Sequence, residues 1–148
     1  MREIKFRSVH VNYEEKFQCF SFWGNYDKDS GFKSPASVSG THIIDHNQFT
    51  GLKDKNGTEI YEGDILETPY EYTYNEYQGT EDEAGVYRGR VHYTPSAGFI
   101  QRGCIQLDDE EENRSAWEKK KGILNIRSST CRVIGNIYEN PDLLENAE

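Results

Sequence analysis

The segment Gln48–Leu66, QFTGLKDKNGTEIYEGDIL, constrains the fold of this 148-residue chain more than any other. It sets strand-like sequence, a turn and a second strand entry back to back. Phe49 and Leu52 are apolar and Thr50 is β-branched, which suits a pleated surface. Asp54-Lys55-Asn56-Gly57 then supplies turn chemistry, because Asn56-Gly57 tolerates the positive φ of a tight hairpin turn. Ile60-Tyr61 resumes the apolar pattern, Glu62-Gly63-Asp64 interrupts it, and Ile65-Leu66 enters a further strand. A glycine between two acids at a strand entry marks a bend where a side chain would clash. The expected structure is a framework corner of a small β-barrel.

The rest of the chain reads mainly as strands. Glu3–Val9 alternates, with Ile4, Phe6 and Ser8 on one face and Glu3, Lys5 and Arg7 on the other, the period of a half-buried strand. Phe17–Trp23 is an aromatic, strand-like run. Residues 24–40 are rich in Gly, Ser, Asp and Lys and read as a loop, and Thr41–Ile44 as a short strand. The first half of Pro69–Gly85, where Tyr70, Tyr72 and Tyr74 alternate, suits a strand; its acidic second half reads as a mobile loop. Val86–Thr94 is a strand with Tyr87, Gly89, Val91 and Tyr93 opposing Val86, Arg88, Arg90 and His92. Pro95–Gly98 turns it into Phe99-Ile100, and Cys104–Leu107 extends or follows this hairpin. Acids at Asp108–Glu112 and bases at Lys119–Lys121 predict a short helix with its dipole complemented, ended by Gly122. Ile123–Ile126 and Cys131–Tyr138 are further strands. Asn140-Pro141 opens a short helix, with Asn140 as N-cap and Pro141 at the first helical position.

Composition narrows the functions. Only 34% of residues are hydrophobic, but ten Tyr, seven Phe and two Trp can supply a core. A net charge of −9 disfavours non-specific nucleic-acid binding, which needs clustered Lys and Arg. No apolar run reaches the length of a membrane span and MREIKFRSV is unlike an export signal, so the expectation is a cytoplasmic protein without a membrane partner. Cys19, Cys104 and Cys131 are far apart and form no C-x-x-C pair; free thiols are expected, with Cys131 in the core.

Candidate chemistry is sparse, and no catalytic, cofactor or metal residue is expected. His42 and His46 have the spacing of a helical metal pair, but Ile43-Ile44 favours a strand, which would hold the imidazoles roughly 13 Å apart. Asp54-x-Asn56-Gly57 echoes a calcium loop but lacks its remaining acids. Asp54, Glu62 and Asp64 form a possible carboxylate cluster, expected to be solvated or to cap backbone amides. The phosphate-binding, dinucleotide and nucleophile-elbow motifs are absent, so the expectation is a protein that is not an enzyme. Tyr87, Arg88, Arg90, His92 and Tyr93 could stack bases and contact phosphates, against the simpler reading of one buried and one solvated strand face.

Three stretches, MREIKFR, FTGLKDKNGTEIYEGDIL and RVIGNIYENPDLL, together resemble the YopX-like family of phage and prophage proteins. The resemblance implies an SH3-like small barrel built from the central block, the strands after it and the closing CRVIGNIY strand. It implies a phage or prophage setting in a bacterium and no assigned activity. Its structural signature falls on Gly51, Asn56, Gly57, Gly63, Asp64, Gly135, Asn136, Asn140 and Pro141. The expected organisation is one mainly β domain over 1–148, with a barrel framework at about 41–140, the N-terminal strands of 1–40 packed on it, and a short C-terminal helix. The leading function is an accessory protein acting through protein–protein contacts and self-association, with Tyr70, Tyr72, Tyr74, Phe99 and Trp117 as surface anchors, as a homodimer or a ring. The alternatives are an acidic decoy of a host DNA-binding protein, using residues 67–83 and 108–112, and a nucleic-acid-binding module using Arg88, Arg90 and Lys119–Lys121.

Overall fold

A computed structural model describes residues 4–27, 31–33, 37–76, 79–107 and 117–144; for 25–27, 31–33, 70–76, 79–84, 104–107 and 117–122 the description is of the backbone. The strands are β1 (Lys5–Val11), β2 (Phe17–Asp27), β3 (Gly31–Lys33), β4 (His42–Lys53), β5 (Glu59–Tyr61), β6 (Asp64–Glu76), β7 (Gly79–Thr94), β8 (Gly98–Leu107), β9 (Trp117–Asn125) and β10 (Arg132–Asn136). A one-turn 3-10 helix follows at Pro141–Leu144. The strands form two antiparallel five-stranded sheets, ordered β3-β2-β1-β4-β5 and β10-β6-β7-β8-β9. The chain is mainly β, as its patterning predicts. The implied SH3-like barrel would need the sheets to close on one another; among the described residues both orders are open.

β1 is central in its sheet, with Phe6 opposite Trp23 of β2 and Gln48 of β4. From Arg7 to Val11 every residue is buried, whichever face it points to, so the strand is not half-buried as its alternation suggests. The Asn56-Gly57 turn forms as expected and joins β4 to β5, with Gly57 at φ 85°. Asp54 staples this turn. Its Oδ1 accepts from the amides of Asn56 and Thr58, each at 2.9 Å, and its Oδ2 from Val133 N at 2.9 Å, tying the turn to β10. Gly63, at φ 88°, is the corner between β5 and β6. Its N–H donates to Val91 O and its carbonyl accepts from Ile137 N, both at 3.0 Å. The bend thus joins β7 to the segment after β10, and L side chains rarely adopt such a φ.

Beneath the second sheet Ile60, Leu66, Val91 and Cys131 close an aliphatic core, with Phe99, Ile126 and Val133 packed against it. Each fully buried aliphatic side chain here contributes roughly 1.5–3 kcal/mol. Phe99 is thus engaged with the core rather than offered as a surface anchor. The side chains of Tyr70, Tyr72, Tyr74 and Trp117 lie outside the description.

Three loop or helix expectations fail where strand pairing intervenes. Residues 24–40 contain the end of β2 and all of β3, paired through Gly24 and Lys33; 28–30 and 34–36 lie outside the described residues. The acidic half of Pro69–Gly85 is strand, because β6 and β7 pair without interruption from Ile65 opposite Arg90 to Glu76 opposite Gly79. That ladder pairs the backbone groups that face the neighbouring strand, and acidic side chains, which point out of the ladder, do not prevent it. The expected helix falls partly on 108–116, outside the described residues. Trp117–Lys121 belongs to β9, with Trp117 opposite Gln106 and Glu118 opposite Ile105. Dipole complementation contributes only about 0.3–1 kcal/mol per charge, less than a paired strand supplies.

The helix starts at Pro141 as expected, with Asn140 in the N-cap position and its carbonyl accepting from Leu143 N at 3.1 Å. The side chain of Asn136 caps the amides before the helix, accepting from Tyr138 N at 3.0 Å and Glu139 N at 2.9 Å. Asn140 turns its Oδ1 back to Asn136 N and fills the space beside Gly135, where a Cβ would approach that oxygen to 2.5 Å. Among the described residues no helix is long and apolar enough to cross a membrane.

Candidate functional site

Between the sheets lies a polar seam. Arg7 on β1 is 5% exposed and Asp64 at the start of β6 is 2% exposed. A buried charge must be paired and hydrogen-bonded, and both conditions are met here. Arg7 Nη2 lies 2.7 Å from Asp64 Oδ1 and donates to Glu62 O at 3.3 Å, while Nε donates to Asn47 Oδ1 at 2.9 Å. The guanidinium carbon sits 4.0 Å from the Phe20 ring centroid and 5.0 Å from that of Tyr61. Aromatic faces on a desolvated cation of this kind contribute about 2 kcal/mol. Asp64 Oδ2 accepts from Tyr61 N at 2.8 Å. Burial pushes the Asp64 carboxyl above the usual range, against the opposing pull of Arg7 and the Tyr61 amide.

The network continues through Asn47, whose Nδ2 donates to Tyr138 Oη at 2.9 Å; that hydroxyl donates to Asp45 Oδ2 at 2.6 Å. Burial, with the Asp45 carboxylate beside it, pushes the Tyr138 phenol up to about 12. The seam thus ties β1, β4, β6 and the segment after β10 together by directional bonds. Beside it opens a cavity of about 320 Å³, lined in part by Arg7, Phe22, Tyr61, Asp64, Val133 and Asn136.

The expected carboxylate cluster divides. Asp54 caps amides as anticipated, and its hydrogen bonds from Val133, Thr58 and Asn56 outweigh burial and hold its carboxyl below the usual range. Asp64 is buried and ion-paired instead of solvated, because the Gly63 corner turns it inward toward Arg7. Arg7, Asn47, Tyr61 and Tyr138 were not singled out from sequence. The alternation places Arg7 on a polar face, and nothing local signals that Phe20, Tyr61 and Asp64 cover that face.

The basic and aromatic set on β7 also divides. Tyr87 is buried and Tyr93 is half-exposed. Arg88 Nη2 pairs with Glu67 at 3.2 Å and its Nη1 donates to Leu143 O at 3.2 Å. Glu67 also takes Arg132 at 2.9 Å, and the two guanidiniums together outweigh burial to lower its carboxyl. His42 pairs with Glu15 at 3.1 Å, and His46 Nδ1 shares a hydrogen bond with Ser8 Oγ at 2.8 Å. Among the described residues no three His, Cys, Asp or Glu side chains gather as a metal site. Cys19 and Cys131 are free thiols, and burial raises the Cys131 thiol; the Cys104 side chain is outside the description. Of the remaining signature positions, Gly51 has φ 86° within β4.

A second feature is the outer edge of β4. β5 pairs with β4 only from Phe49 to Lys53, and the Glu62 N–H reaches Gln48 O. On that side, residues 42–47 have no strand partner among the described residues. Asp45 and Ile43 oppose successive β1 residues, Val9 and His10, so Ile44 is an extra residue bulged out of the ladder. His42–His46 are all exposed, including the apolar Ile43 and Ile44.

A family model described as "YopX protein" matches residues 5–145. The chain is also similar to a solved structure, the crystal structure of protein EF1440 from Enterococcus faecalis. The two share 23% identity over 97% of this chain and 99% of that one, with a TM-score of 0.40. No curated protein matches.

Proposed function

The chain belongs to the YopX protein family, and from that premise we propose that it is a non-catalytic accessory protein that works by binding protein, first of all a second copy of itself. The setting proposed with it is a phage or prophage in the bacterial cytoplasm. The observation that carries this reading is the uncovered edge of β4. An unpaired edge with apolar side chains is a template for strand addition, and Ile43 and Ile44 are both exposed there. The segment is self-complementary across a two-fold axis. Two antiparallel copies with Ile43 of one opposite Ile44 of the other place β-branched pairs together twice, each worth about 0.2–1 kcal/mol. The finer SH3-like description belongs to this reading for β4–β8 and β10. It draws support from the bonds that Lys55 N makes to Cys131 O and Gly63 makes to Val91 and Ile137, which carry pairing from one sheet to the other.

Light scattering after size exclusion tests self-association. A dimer mass at micromolar concentration is expected, with Ile44→Lys returning the protein to monomer and leaving its melting temperature unchanged. A monomer mass that holds across a tenfold concentration range would overturn it.

A further inference from the structure

We propose that the seam cavity binds a small uncharged planar heterocycle carrying a carbonyl beside a ring N–H, the edge found in uracil and guanine. Its size comes first. At about 320 Å³ the cavity sits at the small end of ligand pockets and takes one ring system. Its charge comes second. Arg7 and Asp64 cancel, and Glu59 on the lining is paired with Lys5. A phosphate or carboxylate entering here meets two carboxylates, and a cation meets Arg7, so the ligand is neutral.

The hydrogen-bonding pattern sets the edge. Arg7 uses Nε and Nη2 for its bonds to Asn47, Asp64 and Glu62, while its Nη1 has no hydrogen-bond partner among the described residues. Among the described residues each Asp64 oxygen accepts a single bond, from Arg7 or from the Tyr61 amide, and a carboxylate oxygen has room for more. The lining therefore offers a donor beside an acceptor. A carbonyl accepting from Arg7 Nη1 with an adjacent N–H donating to Asp64 matches both. A purely aliphatic occupant would leave both unused at a desolvation cost. Phe22 and Tyr61 complete the case: their rings meet edge to face at 5.6 Å, and Phe22 is 62% exposed. This leaves an aromatic wall against which a planar ring can pack. The site is separate from the β4 edge and does not depend on self-association.

Uridine and guanosine, with 3-methyluridine and 1-methylguanosine as partners lacking the ring N–H, are the probes. Each is titrated into the 15N-labelled full chain and followed by amide chemical shifts. Saturable shifts at Tyr61, Asp64 and Asn136 are expected with at least one unmethylated probe, with binding about tenfold or more weaker for its methylated form, a difference of about 1.4 kcal/mol. Thr58→Trp, at an exposed position of the lining, should abolish the shifts without lowering the melting temperature. If Thr58→Trp does lower it, Phe22→Ala is the second variant, and it should weaken binding several-fold. Absence of saturable shifts with both nucleosides, equal binding of the methylated forms, or binding indifferent to the variants would each overturn the assignment.

Discussion

Beneath the second sheet, Ile60, Leu66, Val91 and Cys131 pack as an aliphatic cluster, whereas between the sheets Arg7 lies against Asp64 with Phe20 and Tyr61 over its guanidinium. Both regions exclude solvent, but they hold the fold differently. Aliphatic contacts are non-directional and tolerate swaps that conserve volume, usually at under about 1.5 kcal/mol. The seam is directional. Its charges cost much to bury, and each is useful only while its partner stands in one place. Substance comes from the first region, and the relative placement of β1, β4 and β6 from the second.

The largest expected effect separates the pair from its parts. Asp64→Ala leaves the Arg7 charge buried and unpaired and should cost about 3–5 kcal/mol in chemical denaturation, while Arg7→Met combined with Asp64→Leu should come close to the parent or exceed it. A double variant as unstable as Asp64→Ala would show that the pair carries net stability. In the aliphatic region, Leu66→Ala should cost about 2–5 kcal/mol and Leu66→Met under about 1.5 kcal/mol. Arg7→Lys in the seam should cost more than Leu66→Met, because an ammonium lacks the fork that serves Asp64, Glu62 and Asn47 at once. The reverse order would erase the contrast.

Gly63 couples the two regions. Gly63→Val forces a β-branched residue to φ 88°, with its Cβ 3.4 Å from Tyr138 Cε2, and should cost roughly 1–3 kcal/mol. An unchanged melting curve would remove the corner from the account.

The smallest effects are titrations, and their signs differ between residues. Tyr138 has its phenol raised from 10.0 to about 12, so the folded state holds its proton more tightly than the unfolded state. Its contribution is complete below pH 10 and is lost as pH rises toward 12. Tyr138→Phe should flatten that part of the melting-temperature profile. At the acid end, Asp54 and Glu67 are lowered, so their contribution is present above the ordinary carboxylate range and lost as pH falls through their folded values. Asp64 is raised and acts oppositely, its contribution falling as pH rises from 3.8 through its folded value. Asp54→Asn should weaken the acid loss, and Asp64→Asn should steepen it.

Much of the framework was legible locally. Asn56-Gly57, Gly63 and the alternation of Val86–Thr94 each express a rule confined to a few neighbouring residues, and each appears as expected. The turn position of Asp54 predicts a solvated or amide-capping acid, and it caps amides. What depends on distant partners was not legible. The acidic 79–85 stretch is strand because Ile65–Glu76 pairs along its length, and Trp117–Lys121 is strand because β8 lies beside it. Among the exposed apolar side chains are Phe22, Ile43 and Ile44, which no local pattern marks; for Ile43 and Ile44 the reason is that exposure depends on which part of the β4 edge β5 covers. Arg7 and Asp64 stand 57 positions apart, and Asn47 and Tyr138 stand 91 apart. By itself, then, the sequence determined the turns, the strand period and the β class, since these depend on backbone preference and side-chain alternation. Tertiary structure alone decided which polar residues are buried, which edge is open and where the cavity lies, because burial depends on the elements that pack over a residue.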